Sequence, residues 1–443
     1  MPIDEYKLLE DMDIDEEIEE WETVDSGQQT AFLAAMGRGT VQTADLEAGL
    51  RELARLADTA GITVLGTYFQ KRNKPEMSTL FGKGWLEDIS KRMLQSGADL
   101  LIVNEELTPM QGRNLEKDYQ IRTLDRTELI LSIFHNHART REARLQVKLA
   151  ELEYQLPRLK KLWGHFDREH GAARSAGGTA TRGMGEKQIE IDRRIIKRNI
   201  RRIENELELL MKHKLTQRKQ RDKVKRLCLV GYTNAGKSTL FNLLTGADVL
   251  VEDKLFATLD STTRQLKLEK GGTIVISDTV GFISNLPHHL VASFRATLME
   301  VLDASLLLHI VDCSGDDFEQ YIAAVNTVLQ EIQADTLPQL LILNKIDLLD
   351  ESYLQLLKKR FPAAILISAR EQAHLDELLQ RIDQILFDAY QCKLLIPYDE
   401  GRLVNLLHEK AQVTAEHYCE QGVELEVILN REDKYLFDKY TIT

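Results

Sequence analysis

The chain has 443 residues, 43% of them hydrophobic and 29% charged, and carries a formal net charge of −13. That length exceeds what one ordinary core organises, so roughly two to four soluble domains are expected, and the lack of any run of about 18 apolar residues excludes a membrane-spanning helix. The acidic start lacks the pattern of a secretory leader. Cys228, Cys313, Cys392 and Cys419 are too scattered for a C-x-x-C site, so free thiols in a reducing cytoplasm are expected.

The charge is unevenly placed. Residues 1–25 hold about twelve acids and one lysine, whereas residues 126–226 hold about 26 Lys/Arg against about 13 Asp/Glu. An acidic arm over residues 1–40, passing through Ser26-Gly27-Gln28 and Gly37-Arg38-Gly39, reads as poorly ordered. Residues 43–125 alternate helix and strand patterns, as a small α/β unit with a parallel sheet requires: leucines at 46, 50, 53 and 56, then strand-like runs at 62–68, 100–103 and 121–124. Residues 126–163 read as one long helix with Leu145, Leu149, Leu152, Leu156 and Leu159 on one stripe, against which Pro157 is an objection. A second long helix, about 186–212, carries Ile196, Ile200, Ile203, Leu207 and Leu210 at the same spacing. Two such narrow seams suit a helical hairpin over 126–215, with the glycine- and arginine-rich stretch 164–185 as its connection.

Residues 222–388 form a second α/β domain. The apolar run Leu227-Cys228-Leu229-Val230 leads into Gly231-Tyr232-Thr233-Asn234-Ala235-Gly236-Lys237-Ser238-Thr239, ahead of a helix. This is G-x-x-x-x-G-K-[ST] in its required setting. Backbone N–H groups wrap phosphates, the helix N-terminus adds its dipole, Lys237 neutralises β/γ oxygens, and the Ser238 hydroxyl suits Mg²⁺. Asp278-Thr279-Val280-Gly281 ends another apolar strand; the acid can reach the Mg²⁺ shell through water, and Gly281 can offer its N–H to a γ-phosphate. Asn344-Lys345-Ile346-Asp347 selects the base. Asp347 can accept from guanine N1–H and N2–H₂, a donor pair that adenine lacks, with Asn344 on the ring's other edge and the Lys345 stem over its face. Ser368-Ala369-Arg370 follows a last short strand, with the Ala369 N–H in reach of guanine O6. Between the first two motifs, Phe256-Ala257-Thr258-Leu259-Asp260 offers Thr258 as the switch residue that completes the Mg²⁺ shell, with Thr262 and Thr263 as competitors.

These four motifs in this order resemble the P-loop GTPases. The resemblance implies binding of GTP and GDP with Mg²⁺, and hydrolysis involving Lys237, Thr258, Gly281 and Asn234. Phe282 stands where many such enzymes place a water-orienting Gln. Asn234 occupies the position that in some GTPases lacking the Gln helps to hold K⁺, so K⁺ is a candidate cofactor, the alternative being that Asn234 only supports the loop. The segments 135–147 and 149–152, Leu80-Phe81-Gly82-Lys83-Gly84, 182–190 with 192–194, and 256–264 are similar to the HflX GTPase family over about residues 43–388. Met184 and Lys187 depart from the G-P-G-E-T-Q pattern of that family.

The resemblance implies a cytoplasmic GTPase, ribosome-associated or peripherally membrane-associated, that binds rRNA and protein of the large ribosomal subunit and splits stalled ribosomes. The basic hairpin agrees in kind, with Arg139, Arg141, Arg144, Lys148, Arg174 and Arg182 as RNA-contact candidates. An alternative is a GTPase serving ribosome assembly or RNA modification through a protein partner. Residues 390–443 read as a small C-terminal βαβ unit whose strand 423–429 alternates cleanly, and a monomer is expected.

Overall fold

The computed structural model describes residues 29–159, 180–219, 224–247, 254–256, 258–259, 261–268, 272–284, 300–315, 317–387, 389–419, 421–430 and 437–442. It holds three sheets.

The first sheet is parallel, with strand order β2-β1-β3-β4, formed by β1 (Thr30–Arg38), β2 (Thr63–Arg72), β3 (Leu100–Val103) and β4 (Thr123–Asp125). Helix α1 (Thr43–Thr59) packs Leu46, Leu50, Leu53 and Leu56 with Ala31, Leu33 and Ala35 of β1. Helices α2 (Lys83–Ser96) and α3 (Pro109–Tyr119) bring Leu86, Ile89, Met93 and Leu115 together with Phe32, Ala34 and Met36, which alternate with those three along the strand. Strand β1 corrects the expectation of an irregular arm up to residue 40. Ala31-Phe32-Leu33-Ala34-Ala35-Met36 is buried on both faces, so it shows no apolar–polar alternation, and its alanines are poor strand markers. Residues 1–28 of that expected arm lie outside the described residues.

The expected single helix 126–163 is two helices, α4 (Arg126–His137) and α5 (Arg141–Gln155). Ala138 leaves the helical region, and Thr140 restarts the chain by accepting a hydrogen bond from the Ala143 N–H at 3.2 Å. Pro157 lies in a 3₁₀ turn (Leu156–Arg158) that follows α5. Helix α6 (Ala180–Lys219) starts earlier than expected and takes in residues 180–185 of the presumed connection, while residues 160–179 lie outside the described residues. Leu145, Leu149 and Leu152 meet Ile203 and Leu207 across the α5–α6 seam, and Arg141 pairs with Glu206 at 2.6 Å.

The second sheet runs β10-β9-β8-β5-β7-β6 and is parallel except for the β6–β7 pair. Its strands are β5 (Arg226–Gly231), β6 (Thr262–Leu268), β7 (Gly272–Asp278), β8 (Leu306–Asp312), β9 (Gln339–Asn344) and β10 (Ile365–Leu366). The helices α7 (Lys237–Thr245), α8 (Phe318–Glu331), α9 (Glu351–Arg360) and α10 (Leu375–Leu386) alternate with them.

The C-terminal unit corrects the βαβ expectation. After β11 (Ala389–Ile396) and α11 (Gly401–Lys410) comes a further strand, β12 (Gln412–Cys419), then β13 (Gly422–Asn430) and β14 (Thr441–Ile442), in antiparallel order β12-β13-β11-β14. The extra strand reverses the chain before β13, so β13 runs against β11 rather than with it. Val423, Leu425 and Val427 are buried and alternate with Glu424 and Glu426.

One apolar cluster joins the first two domains. Leu53 and Leu56 of α1 and Phe134 of α4 share it with Val230, Tyr232, Leu255, Phe256 and Phe282. The first domain is therefore packed against the edge of the nucleotide motifs.

Candidate nucleotide site

Strand β5 lies between β8 and β7 and delivers its C-terminal end, Gly231, into the loop that opens α7. Ligands of open α/β sheets bind at such ends. Asn234 takes the left-handed conformation at φ +61 and Gly236 at φ +92. A Cβ on Gly236 would come within 2.2 Å of Asn344 Nδ2, so the loop needs glycine there for approach as well as for conformation.

Lys237 is buried at the first turn of α7, and its ammonium donates to the carbonyls of Tyr232 at 2.9 Å and Gly231 at 3.3 Å. Burial pulls its pKa down to about 8, with Asp278 opposing. Ser238 follows, its Oγ 2.7 Å from Thr258 Oγ1 and donating to Asp278 Oδ2 at 2.6 Å. Burial raises the Asp278 pKa against the pull of Lys237 and Ser238. Among the described residues, Asp278 Oδ1 is buried without a hydrogen-bond partner. Two hydroxyls and a carboxylate converging on one point, with an oxygen left over, form a donor set suited to a hard divalent cation. Thr262 and Thr263 do not join it: both lie on β6, and Thr263 contacts Ser277 at 3.0 Å. Ala257 and Asp260 lie outside the described residues.

Thr279 donates to Leu229 O at 2.6 Å and ties the end of β7 to β5. Val280 and Gly281 then pass beside the loop; a Cβ on Gly281 would meet Thr233 Cα at 2.8 Å and Lys237 Nζ at 3.0 Å. Phe282 is buried, accepts from the Thr233 N–H at 2.7 Å and donates its own N–H to Gly231 O at 3.1 Å. An apolar, buried side chain here orients no water.

The base end differs from expectation in one respect. Asn344 is a brace: Nδ2 donates to Ala235 O at 2.9 Å, while Oδ1 accepts the Ala369 N–H at 3.0 Å. The two groups assigned to the ring from sequence are thus bonded to each other, and they fix the phosphate loop against the 368–370 loop. Asp347, half-buried in the turn that Ile346 opens, accepts from Ser368 Oγ at 2.6 Å, which aims its carboxylate. Lys345 sits at φ +68 and pairs with Asp312 at 2.6 Å. Arg370 is exposed, and Thr239 lies in the first turn of α7.

Sequence reasoning missed the contribution of the first domain. The Tyr232 hydroxyl donates to Glu52 of α1, lies 2.7 Å from Ser284 Oγ and accepts the Ser284 N–H at 2.6 Å, while its ring stacks on Tyr321 at 4.3 Å. Arg126, at the start of α4, donates to Glu52 at 2.6 Å, Ser284 O at 2.9 Å and Asn104 at 2.8 Å. Thr59 Oγ1 accepts the Leu255 N–H at 3.1 Å, and Phe134 meets Phe256 edge-on at 4.7 Å. No motif marks these residues, because each acts on a loop that is distant in sequence.

A glycine loop on a helix N-terminus, a cluster of two hydroxyls and a carboxylate beside it and an aimed base-reading aspartate define a P-loop GTPase, an enzyme that binds guanine nucleotides and hydrolyses GTP. Residues 47–135 match the family described as GTP-binding GTPase N-terminal, 137–221 the GTP-binding GTPase middle region, and 226–345 the 50S ribosome-binding GTPase. The chain belongs to the HflX GTPases: it is 42% identical over 419 residues to GTPase HflX of Caldanaerobacter subterraneus, covering 94% of each chain. GTPase HflX of Escherichia coli is 39% identical over 403 residues, 90% of this chain and 92% of its own. A GTP-binding protein of Sulfolobus solfataricus, solved with GDP, is 24% identical with a TM-score of 0.41, covering 82% of this chain and 99% of that one.

Proposed function

We propose that this GTPase binds the large ribosomal subunit, uses its GTP state to control that binding, and dissociates or rescues stalled ribosomes under stress. One observation carries the reading. On α6, Arg193, Arg194, Lys197, Arg198 and Arg201 are exposed on one face, while Ile196, Ile200, Ile203 and Leu207 turn toward α5. A rigid helix with a continuous cationic face fits the phosphate backbone of folded RNA. The likeness of residues 226–345 to a 50S ribosome-binding GTPase supports the same partner. Of the candidates read from sequence, Arg139 and Arg144 are exposed and suit RNA, while Arg141 is paired with Glu206. Lys148 lies 3.8 Å from the buried Glu151 and serves that charge. Arg174 lies outside the described residues. So does the side chain of Arg182.

Ser238 and Thr258 would hold Mg²⁺ directly, and Asp278 through water. Bound there, the ion would draw charge from the β/γ oxygens. With no side chain at 282 to orient water, Asn234 and K⁺ at the phosphate loop would supply the missing charge. The protein acts as a cytoplasmic monomer. Co-sedimentation with purified large subunits tests the proposal: a non-hydrolysable GTP analogue should pellet several-fold more protein than GDP does. Equal pelleting in both, or none, overturns it.

A further inference from the structure

Helix α1 of the first domain lies against the nucleotide site, and its register decides which side chain faces it. Residues 51, 55 and 59 are spaced at i, i+4 and i+8, so they share one stripe of the helix. Both ends of the stripe are tied to the GTPase domain. Arg51 lies 3.6 Å from Asp317, at the start of α8, and Thr59 accepts the Leu255 N–H at 3.1 Å. Arg55 sits between them and must face the same way.

It faces a cavity. A pocket of about 410 Å³ is lined by Arg55, Asp58 and Thr59 from α1 and by Asn234, Lys254 and Lys345 from the GTPase domain. Asn234 belongs to the phosphate loop and Lys345 to the base-reading motif, so the pocket spans the stretch between phosphates and base. Lys345 is neutralised by Asp312, which also lines the pocket. From α1 the lining then carries Arg55 and Asp58, opposite charges about one helical turn apart. The Arg55 guanidinium makes no hydrogen bond or ion pair among the described residues, although its neighbours at 51 and 52 both do.

We propose that the nucleotide site is built from two domains, and that Arg55 of α1 contacts the phosphate chain of bound GDP and GTP. The planar guanidinium suits phosphate oxygens bidentately. The Asp58 carboxylate would repel phosphate and suits the ribose hydroxyls instead. Arg55 holds the ground state of the bound nucleotide, so α1 acts as a clasp, and movement of the first domain off the GTPase domain releases the nucleotide.

Dissociation of a fluorescent GDP from the full-length protein tests this. Arg55→Ala should speed dissociation about tenfold, and Arg55→Lys about threefold, because a point charge replaces a fork. Added NaCl should speed release from the wild type and change release from Arg55→Ala far less. Lys91→Ala, which removes one exposed charge from α2, should leave the rate unchanged and so controls for net charge. Arg55 is exposed, so its variants should fold. Dissociation from Arg55→Ala within twofold of the wild type overturns the proposal. So does an unchanged dissociation rate with single-turnover hydrolysis slowed a thousandfold, since Arg55 would then serve the transition state and not the bound nucleotide.

Discussion

The hydroxyl of Tyr232, in the phosphate loop, donates a hydrogen bond to the carboxylate of Glu52, on the first helix of the N-terminal domain. Through Ser284 and Arg126 the same small network touches the segment that follows Gly281. The phosphate loop, the segment after Gly281 and a separate domain thus share one set of polar groups.

Removing the acid should therefore destabilise more than removing the hydroxyl. Arg126 has a side chain only 4% exposed, so Glu52→Ala leaves a buried charge without its counter-ion and should cost about 3 kcal/mol. Tyr232→Phe removes a hydroxyl but leaves the Arg126–Glu52 pair, and should cost about 1–2 kcal/mol. Urea unfolding checks both. Midpoints equal to wild type for both variants would mean that the network contributes nothing.

Thr258 is held within reach of Ser238 by neighbours that bind the other domain: Leu255 bonds to Thr59, and Phe256 packs on Phe134. In the function proposed above its role belongs to the triphosphate state. Thr258→Ala should slow GTP hydrolysis by about a hundredfold and leave GDP affinity within about threefold. Phe134→Ala should give a weaker version of the same pattern by loosening Phe256. Stopped-flow binding with single-turnover hydrolysis separates the two effects.

Phe282 is buried with both backbone groups bonded to the phosphate loop, so it cannot be recruited to orient water by a small rotation. Whatever orients the attacking water lies elsewhere. Turnover in KCl should exceed that in NaCl at least several-fold, and Asn234→Ala should abolish the difference. Equal rates of the wild-type protein in the two salts would eliminate a cation role for this loop.

Lys237 gives a pH dependence with a defined sign. Burial brings its pKa to about 8, against 10.5 for a free lysine. Phosphate favours the charged form and must raise that value on binding. Above about pH 8 the free protein has partly lost this proton and the nucleotide complex regains it, so GDP affinity should fall as pH rises from 8 to 10. Calorimetry in two buffers of different ionisation enthalpy should show proton uptake near pH 8.5 and little near pH 7.

The nucleotide chemistry was legible in the chain because each motif is local. Gly231–Thr239, Asp278–Gly281 and Asn344–Asp347 each carry their chemistry within a few residues at a strand end, and spacing alone reveals them. The helical seam of Leu145, Leu149 and Leu152 with Ile203 and Leu207 was legible for the same reason, since periodicity is a property of one segment. Strand β1 escaped because a strand buried on both faces has no alternation to read. The break at Ala138–Thr140 escaped because the helical pattern of its flanks runs through it.

What the chain by itself determined is the list of chemical parts: a phosphate loop, a guanine reader and a cationic helix. Only the tertiary structure decided that the N-terminal domain reaches that machinery. Glu52, Thr59, Arg126 and Phe134 carry no motif and gain meaning only beside Tyr232, Leu255, Phe256 and Ser284, from 122 to 196 residues further along the chain. Buried polar groups must find partners wherever packing puts them, and pairings at that separation leave no period in a sequence.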